Sequence, residues 1–302
     1  MFDKLLDKLK NDTYLSLETT PGHSPVFSPI INKIEELGLD KLVDAFSTTD
    51  NPLAKLKYNA LFAAKMLQER FHKPVLATMS MRDRNKIALQ SDLLGANEVN
   101  IRAILALTGD PATISDQPHT KGVFESDSSM LLDMISCFNS GIDYAGKPLA
   151  QKPQEIFPFA VVNAYSKNPK TLQKKMQKKI KHGACGIITQ PVYDLESAKI
   201  LVDLMEAANK ECALESNAQL ILGIFPITKL RTAQFLATNV PGINVPNKWI
   251  EALKSANERG VEEEYKVGFE LSKKLFDDIK ALHPKIHLMT ANQFQIAKDI
   301  LV

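Results

Sequence analysis

The stretch IRAILALTGD, residues 101–110, is an apolar, β-branched run that stops on a glycine and then a bare carboxylate. It reads as a buried strand with a charge set at its end, and a charge there is costly unless it meets a partner. Outward in both directions the layout recurs. Short apolar runs at 13–19, 42–48, 74–80, 101–108, 156–163, 185–190, 219–227 and 285–290 alternate with longer amphipathic segments. Ser28-Pro29 opens one helix in the manner of an N-cap and first-turn proline, and Gly38 closes it. Asn168-Pro169 opens another that ends at Gly183. Strand–helix alternation argues for a parallel sheet. Eight unbroken repeats argue for a closed (β/α)8 TIM barrel, one α/β domain over 1–302. Residues 1–10 mix charges at helical spacing and read as a short N-terminal helical extension. The competing fold is an open doubly wound sheet. It carries Gly-x-Gly-x-x-Gly after an early strand, and this chain has no such motif.

With 302 residues, 44% hydrophobic and 24% charged, the chain is long enough to bury a barrel-sized core. A net charge of +2 gives no global electrostatic case for nucleic acid or an anionic membrane. No apolar run nears the roughly 18–20 residues that span a bilayer. The N-terminus lacks the apolar segment of a signal peptide, so a cytoplasmic protein is expected. Cys137, Cys185 and Cys212 form no Cys-x-x-Cys pair, and the histidines show no ligand spacing, so no metal site is expected. The histidines read as structural or exposed.

In such a barrel the chemistry sits at the C-terminal ends of the strands. Those ends are polar here: Glu18, Thr48 to Asp50, Thr78 to Asn85, Thr108 to Asp110, Asn163, Thr189-Gln190, Thr228 and Thr290 to Asn292. Thr, Asn and Asp after a strand commonly cap the next helix, and that reading suits Asp50, Asn85 and Thr228. It suits Glu18, Asp110 and Gln190 less well, because a loop or a proline follows each of them. Two carboxylates and an amide facing each other across one mouth suit general acid work and recognition of a polar heterocycle. The residues alone reach a polar small-molecule site with an acid in it.

Taken together, LETTPG (17–22), RDRNKIALQSDLLGA (82–96), ILALTGDP (104–111), GVFESDS (122–128), GACGIITQPVYD (183–194), GIFPIT (223–228) and HLMTANQ (287–293) resemble the methylenetetrahydrofolate reductase family. The segments follow in family order along most of the chain. The resemblance implies a flavoprotein oxidoreductase of one-carbon metabolism, on the route to methionine biosynthesis. Such an enzyme passes a hydride from NADH or NADPH, through a flavin, to 5,10-methylenetetrahydrofolate and gives 5-methyltetrahydrofolate. It implies FAD, with FMN as the alternative, a folate substrate and a homo-oligomer. It assigns Glu18 as general acid and places Asp110 beside flavin and pterin, with catalytic weight on both. Gln190, Thr228 and Gln293 fall to the substrate. Thr48, Thr78, Thr108, Asp110, Phe124, Asp127, Asn163 and Lys179 fall to the cofactor.

The chain departs from the family pattern at Thr78, Thr108, Leu172, Leu230 and the segment VVNAYSKNP (161–169). Seven lysines crowd the same region, Lys167, Lys170, Lys174, Lys175, Lys178, Lys179 and Lys181. They read as a solvated helix face, or as one from which a lysine or two meets a cofactor phosphate or a polyglutamate tail. The alternatives left open are a flavin-free pterin- or folate-binding barrel acting in methyl transfer, and a subunit of a larger complex.

Overall fold

Eight parallel strands close on themselves in sequence order in the computed structural model, which describes residues 1–215, 217–240 and 242–302. They are β1 (Tyr14–Thr19), β2 (Ala45–Thr48), β3 (Val75–Ser80), β4 (Ala103–Leu107), β5 (Phe157–Val162), β6 (Gly186–Pro191), β7 (Gln219–Ile224) and β8 (Lys285–Leu288). The seam joins β1 to β8, with Ser16 opposite His287. The fold is the expected (β/α)8 barrel; seven of the eight runs contain their strands, and β6 extends one residue past its run, to Pro191. The outer ring holds α2 (Ser28–Glu36), α3 (Ala60–Phe71), α4 (Lys86–Glu98), α5 (Ser128–Asn139), α6 (Pro169–Lys181) and α7 (Leu195–Cys212). Three helices follow β7: α8 (Leu230–Asn239), α9 (Asn247–Asn257) and α10 (Val261–Leu282). The last helix, α11 (Phe294–Leu301), follows β8. Among the described residues no helix is long and apolar enough to cross a membrane.

Two apolar cores hold the barrel. The larger lies between strands and helices. The smaller fills the N-terminal end of the barrel, where α1 (Phe2–Asn11) lies across the opening. Phe2, Leu5 and Leu9 are buried there, and Phe2 stacks on Phe157 with ring centroids 5.6 Å apart. Each such side chain contributes roughly 1.5–3 kcal/mol of burial, so one amphipathic turn pattern closes the floor and leaves the opposite end for ligands.

Local signals explain several helix ends. Asn168 caps α6 by accepting from Lys170 N, and Asn85 caps α4 by accepting from Ala88 N. Gly38 stops α2 with φ 66°, a left-handed turn that glycine adopts without strain. Three expectations are corrected. Ser28 is the first residue of α2, not its cap; Phe27 holds the cap position without a side-chain bond. Asp50 caps nothing; its Oδ2 accepts from Ser80 N and from the Arg84 guanidinium. Thr228 lies before the Lys229 cap position of α8, buried against α10. An ideal Cβ on Gly268 would fall 2.6 Å from Thr228 Cα, so a glycine in α10 permits that contact.

One irregularity shapes the mouth. The β6–β7 register runs Ile188 to Ile221 and then Pro191 to Gly223, so two residues of β6 oppose one of β7. Bulges of this kind re-aim side chains, and here the extra residue falls at Thr189-Gln190. Gly223 is required opposite it: an ideal Cβ would lie 2.3 Å from Thr189 O.

Candidate active site

A cavity of about 410 Å³ opens at the C-terminal ends of the strands, and Glu18, Asp110 and Gln190 all line it. Each arrives from a different strand. Glu18 is in β1 beside the seam. Its Oε2 lies 3.8 Å from His287 Nε2, and the imidazole is almost fully buried. His287 Nδ1 is 2.8 Å from Ser16 Oγ, and Ser47 Oγ is 3.5 Å from Nε2. Ser16 Oγ and Nδ1 share one hydrogen bond, and Nε2 on the other side of the ring faces Glu18 and Ser47. The acid is thus oriented from the far side of the seam.

Asp110 follows Gly109, whose φ of 93° and close approach to Ser80 and Arg82 both need glycine. Its Oδ2 accepts from Leu53 N at 2.7 Å, so the carboxylate pins the loop after β2. That loop holds Asn51, Leu53 and Ala54 at positive φ. Such conformations cost about 1–3 kcal/mol each and persist where surrounding structure imposes them. Arg82 imposes it from the other side, donating to Asn51 O at 3.0 Å.

Thr78 and Asn163 also line the mouth. A second cavity of about 370 Å³ adjoins it and shares Leu107, Val161 and Asn163. Thr108, Asp127 and Lys179 line this side cavity together with Lys175, Lys178 and Ser128. Lys179 Nζ donates to Ser128 Oγ at 2.6 Å, and burial pulls its pKa down against the pull of Asp127. Asp127 caps α5 by accepting from Ser129 N and pairs with Lys178 at 2.6 Å. Burial works against its charge, but Lys178 and the Ser129 donors outweigh that and hold the carboxyl well below the usual range. Three lysines against one carboxylate make this a cationic recess; Lys179 is half-buried in it, while Lys175 and Lys178 line its edge and stay exposed.

The structure does not bring four expected residues to either wall. Thr48 turns outward and donates to Ala60 O at 3.1 Å. Its neighbour Thr49 lines the mouth instead, and its buried hydroxyl has no partner among the described residues. Successive strand residues face opposite sides, so a shift of one residue changes the face. Phe124 is exposed and lies over Gly122. Thr228 is buried against α10, and Gln293 is exposed at the cap position of α11. Thr49 and Arg82 stood among the polar strand ends without a role of their own, and His287 was read only as structural or exposed; all three line the mouth. His287 was legible in principle, because period two places Ser16 and Glu18 on one face of β1 and the seam register sets His287 opposite. Among the described residues no group of three His, Cys, Asp or Glu side chains is placed to hold a metal ion.

The family model described as methylenetetrahydrofolate reductase matches residues 2–302. Methylenetetrahydrofolate reductase 2 of Schizosaccharomyces pombe is 26% identical over 296 residues, 95% of this chain and 45% of that protein. Methylenetetrahydrofolate reductase 1 of the same yeast is 25% identical over 226 residues, covering 70% of this chain and 32% of that one. The chain therefore spans less than half the length of these curated relatives. A Clostridium thermocellum protein, described as binding two copies of 5-methyl-5,6,7,8-tetrahydrofolic acid, shares the fold. Its TM-score is 0.62 at 16% identity, with 98% of each chain covered.

Proposed function

The chain belongs to the methylenetetrahydrofolate reductase family, and we propose that it reduces 5,10-methylenetetrahydrofolate to 5-methyltetrahydrofolate, with a flavin as carrier and NADH or NADPH as donor. One observation carries the reading: an acid, a second carboxylate and an amide from three strands meet at one mouth, and a lysine-lined recess adjoins it. The solved structure that shares this fold is described as binding a reduced methylfolate, which supports a pterin in such a barrel.

The residues present fit a flavin. The partnerless Thr49 hydroxyl is a buried polar atom at the mouth that a heterocycle would satisfy. Thr49, Thr78 and Asn163 would hold the ring, while Lys179, Lys178, Lys175 and Thr108 would hold phosphate in the side recess. FAD fits this division, and FMN is the alternative. The bound flavin supplies two-electron chemistry that no side chain offers.

The protein's own part is protonic and positional. Glu18 holds a proton at its carboxyl, turned by His287 and Ser16, and delivers it to the folate's bridge nitrogen as the methylene bridge opens to an iminium. Asp110, an acceptor when ionised, takes the N–H groups of the pterin edge. Gln190, presented by the bulge of β6, places a polar amide on the same wall.

An anaerobic visible spectrum before and after addition of 5-methyltetrahydrofolate tests the proposal. Flavin absorbance that bleaches supports it. Flavin that stays oxidised refutes folate as the substrate. No flavin band, even after adding FAD and FMN, refutes the flavin reading and turns the weight to a flavin-free pterin-binding barrel.

A further inference from the structure

Arg82 is almost fully buried, at 2% exposed, yet it lines the mouth. Its Nε and one terminal nitrogen are taken by Asp83, at 2.7 and 2.6 Å, and that same nitrogen also donates to Asn51 O. The other terminal nitrogen, with two N–H donors, makes no hydrogen bond among the described residues. It is not among the unpartnered polar atoms sealed from water, and of the cavities described the mouth is the one that Arg82 lines. Unbonded donors on a buried guanidinium are expensive to leave so. Among the described lining residues Arg82 is the one lysine or arginine, set among the carboxylates of Glu18, Asp50 and Asp110. Asp50 is already matched by Arg84 at 2.6 Å, while the Asp110 carboxylate pairs with no lysine or arginine among the described residues. A ring that takes up electrons beside it gains negative charge where it is least welcome.

Resting on the flavin reading above, we propose that Arg82 turns its open donors onto the acceptor edge of the bound ring system and sets its reduction potential, offsetting Asp110. A fixed cation binds the electron-rich form more tightly than the oxidised form. Asp83 limits the effect, because its carboxylate screens the same guanidinium. The two residues therefore act in opposite directions on one quantity.

The experiment compares wild type, Arg82→Gln, Arg82→Lys and Asp83→Asn, each loaded with flavin. It reads the midpoint potential by equilibration with a redox dye and flavin affinity by fluorescence quenching. Arg82→Gln is expected to weaken binding of reduced relative to oxidised flavin about tenfold, a fall of about 30 mV for a two-electron couple. Arg82→Lys retains most of the wild-type potential, and Asp83→Asn raises it. Loss of packing alone would not move the potential in opposite directions in the two neighbours. Should Arg82→Gln fail to fold, judged by its melting curve, the rise in Asp83→Asn carries the test. Unchanged potentials in flavin-loaded variants overturn the proposal. A wild type that takes up no flavin overturns the functional reading itself, and this inference with it.

Discussion

Replacing Glu18 by Gln removes one titrating proton and little else. The amide has the shape of the acid, so it can keep the position 3.8 Å from His287 Nε2. The side chain is 22% exposed and sits at the mouth rather than in the core, so stability should shift by less than about 0.5 kcal/mol. A positioned general acid contributes roughly 10²–10⁴-fold, which is about 2.7–5.4 kcal/mol of barrier at 1.36 kcal/mol per decade. The burial of His287 and the hydroxyls around it argue for an acid held in one orientation, and hence for the upper part of that range. Stopped-flow spectroscopy separates the two half-reactions under anaerobic conditions. Oxidation of the reduced flavin by the folate should slow by the full factor. Reduction of the flavin by the nicotinamide should change by less than about threefold, because that step asks no proton of Glu18. Equal losses in both half-reactions would refute Glu18 as a dedicated acid, and make the mouth a site whose residues only hold the flavin.

His287→Gln should slow the folate half-reaction in the wild-type background yet add little in the Glu18→Gln background, since it acts through that acid; additive losses in the double variant would show an independent role. Gly223→Ala should lower stability by about 1–3 kcal/mol, the usual cost of overpacking, because the new methyl meets Thr189 O; an unchanged melting temperature would mean that the bulge of β6 can relax away. Asp127→Ala should cost about 1 kcal/mol at neutral pH through loss of the α5 cap. Asp127's folded pKa lies below its ordinary value, so its contribution is present above the ordinary carboxylate range and is lost as pH falls through the depressed folded value. The gap between wild type and variant, measured by denaturant titration, should therefore close only in strong acid, and a gap already closed at pH 5 would contradict the pairing with Lys178.

The strands were legible because each is a short apolar run between amphipathic segments, and a closed parallel barrel satisfies eight such runs at once. Glu18, Asp110 and Gln190 stood out because none had a helix to cap. What stayed hidden depends on register, which a linear pattern specifies poorly at strand ends. Thr48 and Thr49 are adjacent and alike, and only the pairing of β2 with its neighbours decides which faces inward. Asp50 resembled a cap, and the Arg84 partner that claims it lies 34 positions away. Arg82 lay in a charged loop segment, where burial of a guanidinium has no local signal. The left-handed Leu53 and Ala54 are imposed by Asp110 and Arg82, not chosen by their own side chains.

The pairing of Glu18 with His287 has a bearing on how the protein comes to be active. Ser16 and His287 stand 271 positions apart and face each other where the first strand meets the last. Contacts of such sequence separation form late and slowly. Until β8 docks, β1 presents an unpaired edge of the kind that recruits other chains, and Glu18 lacks the ring that orients it. If Glu18 acts as proposed, proton delivery becomes competent in the same event that removes the last open edge. A population in which seven strands are ordered and the eighth is frayed would keep much of its helical signal and lose the Glu18–His287 pairing, so on the proposed function turnover would report on the seam more sharply than any spectroscopic measure of secondary structure.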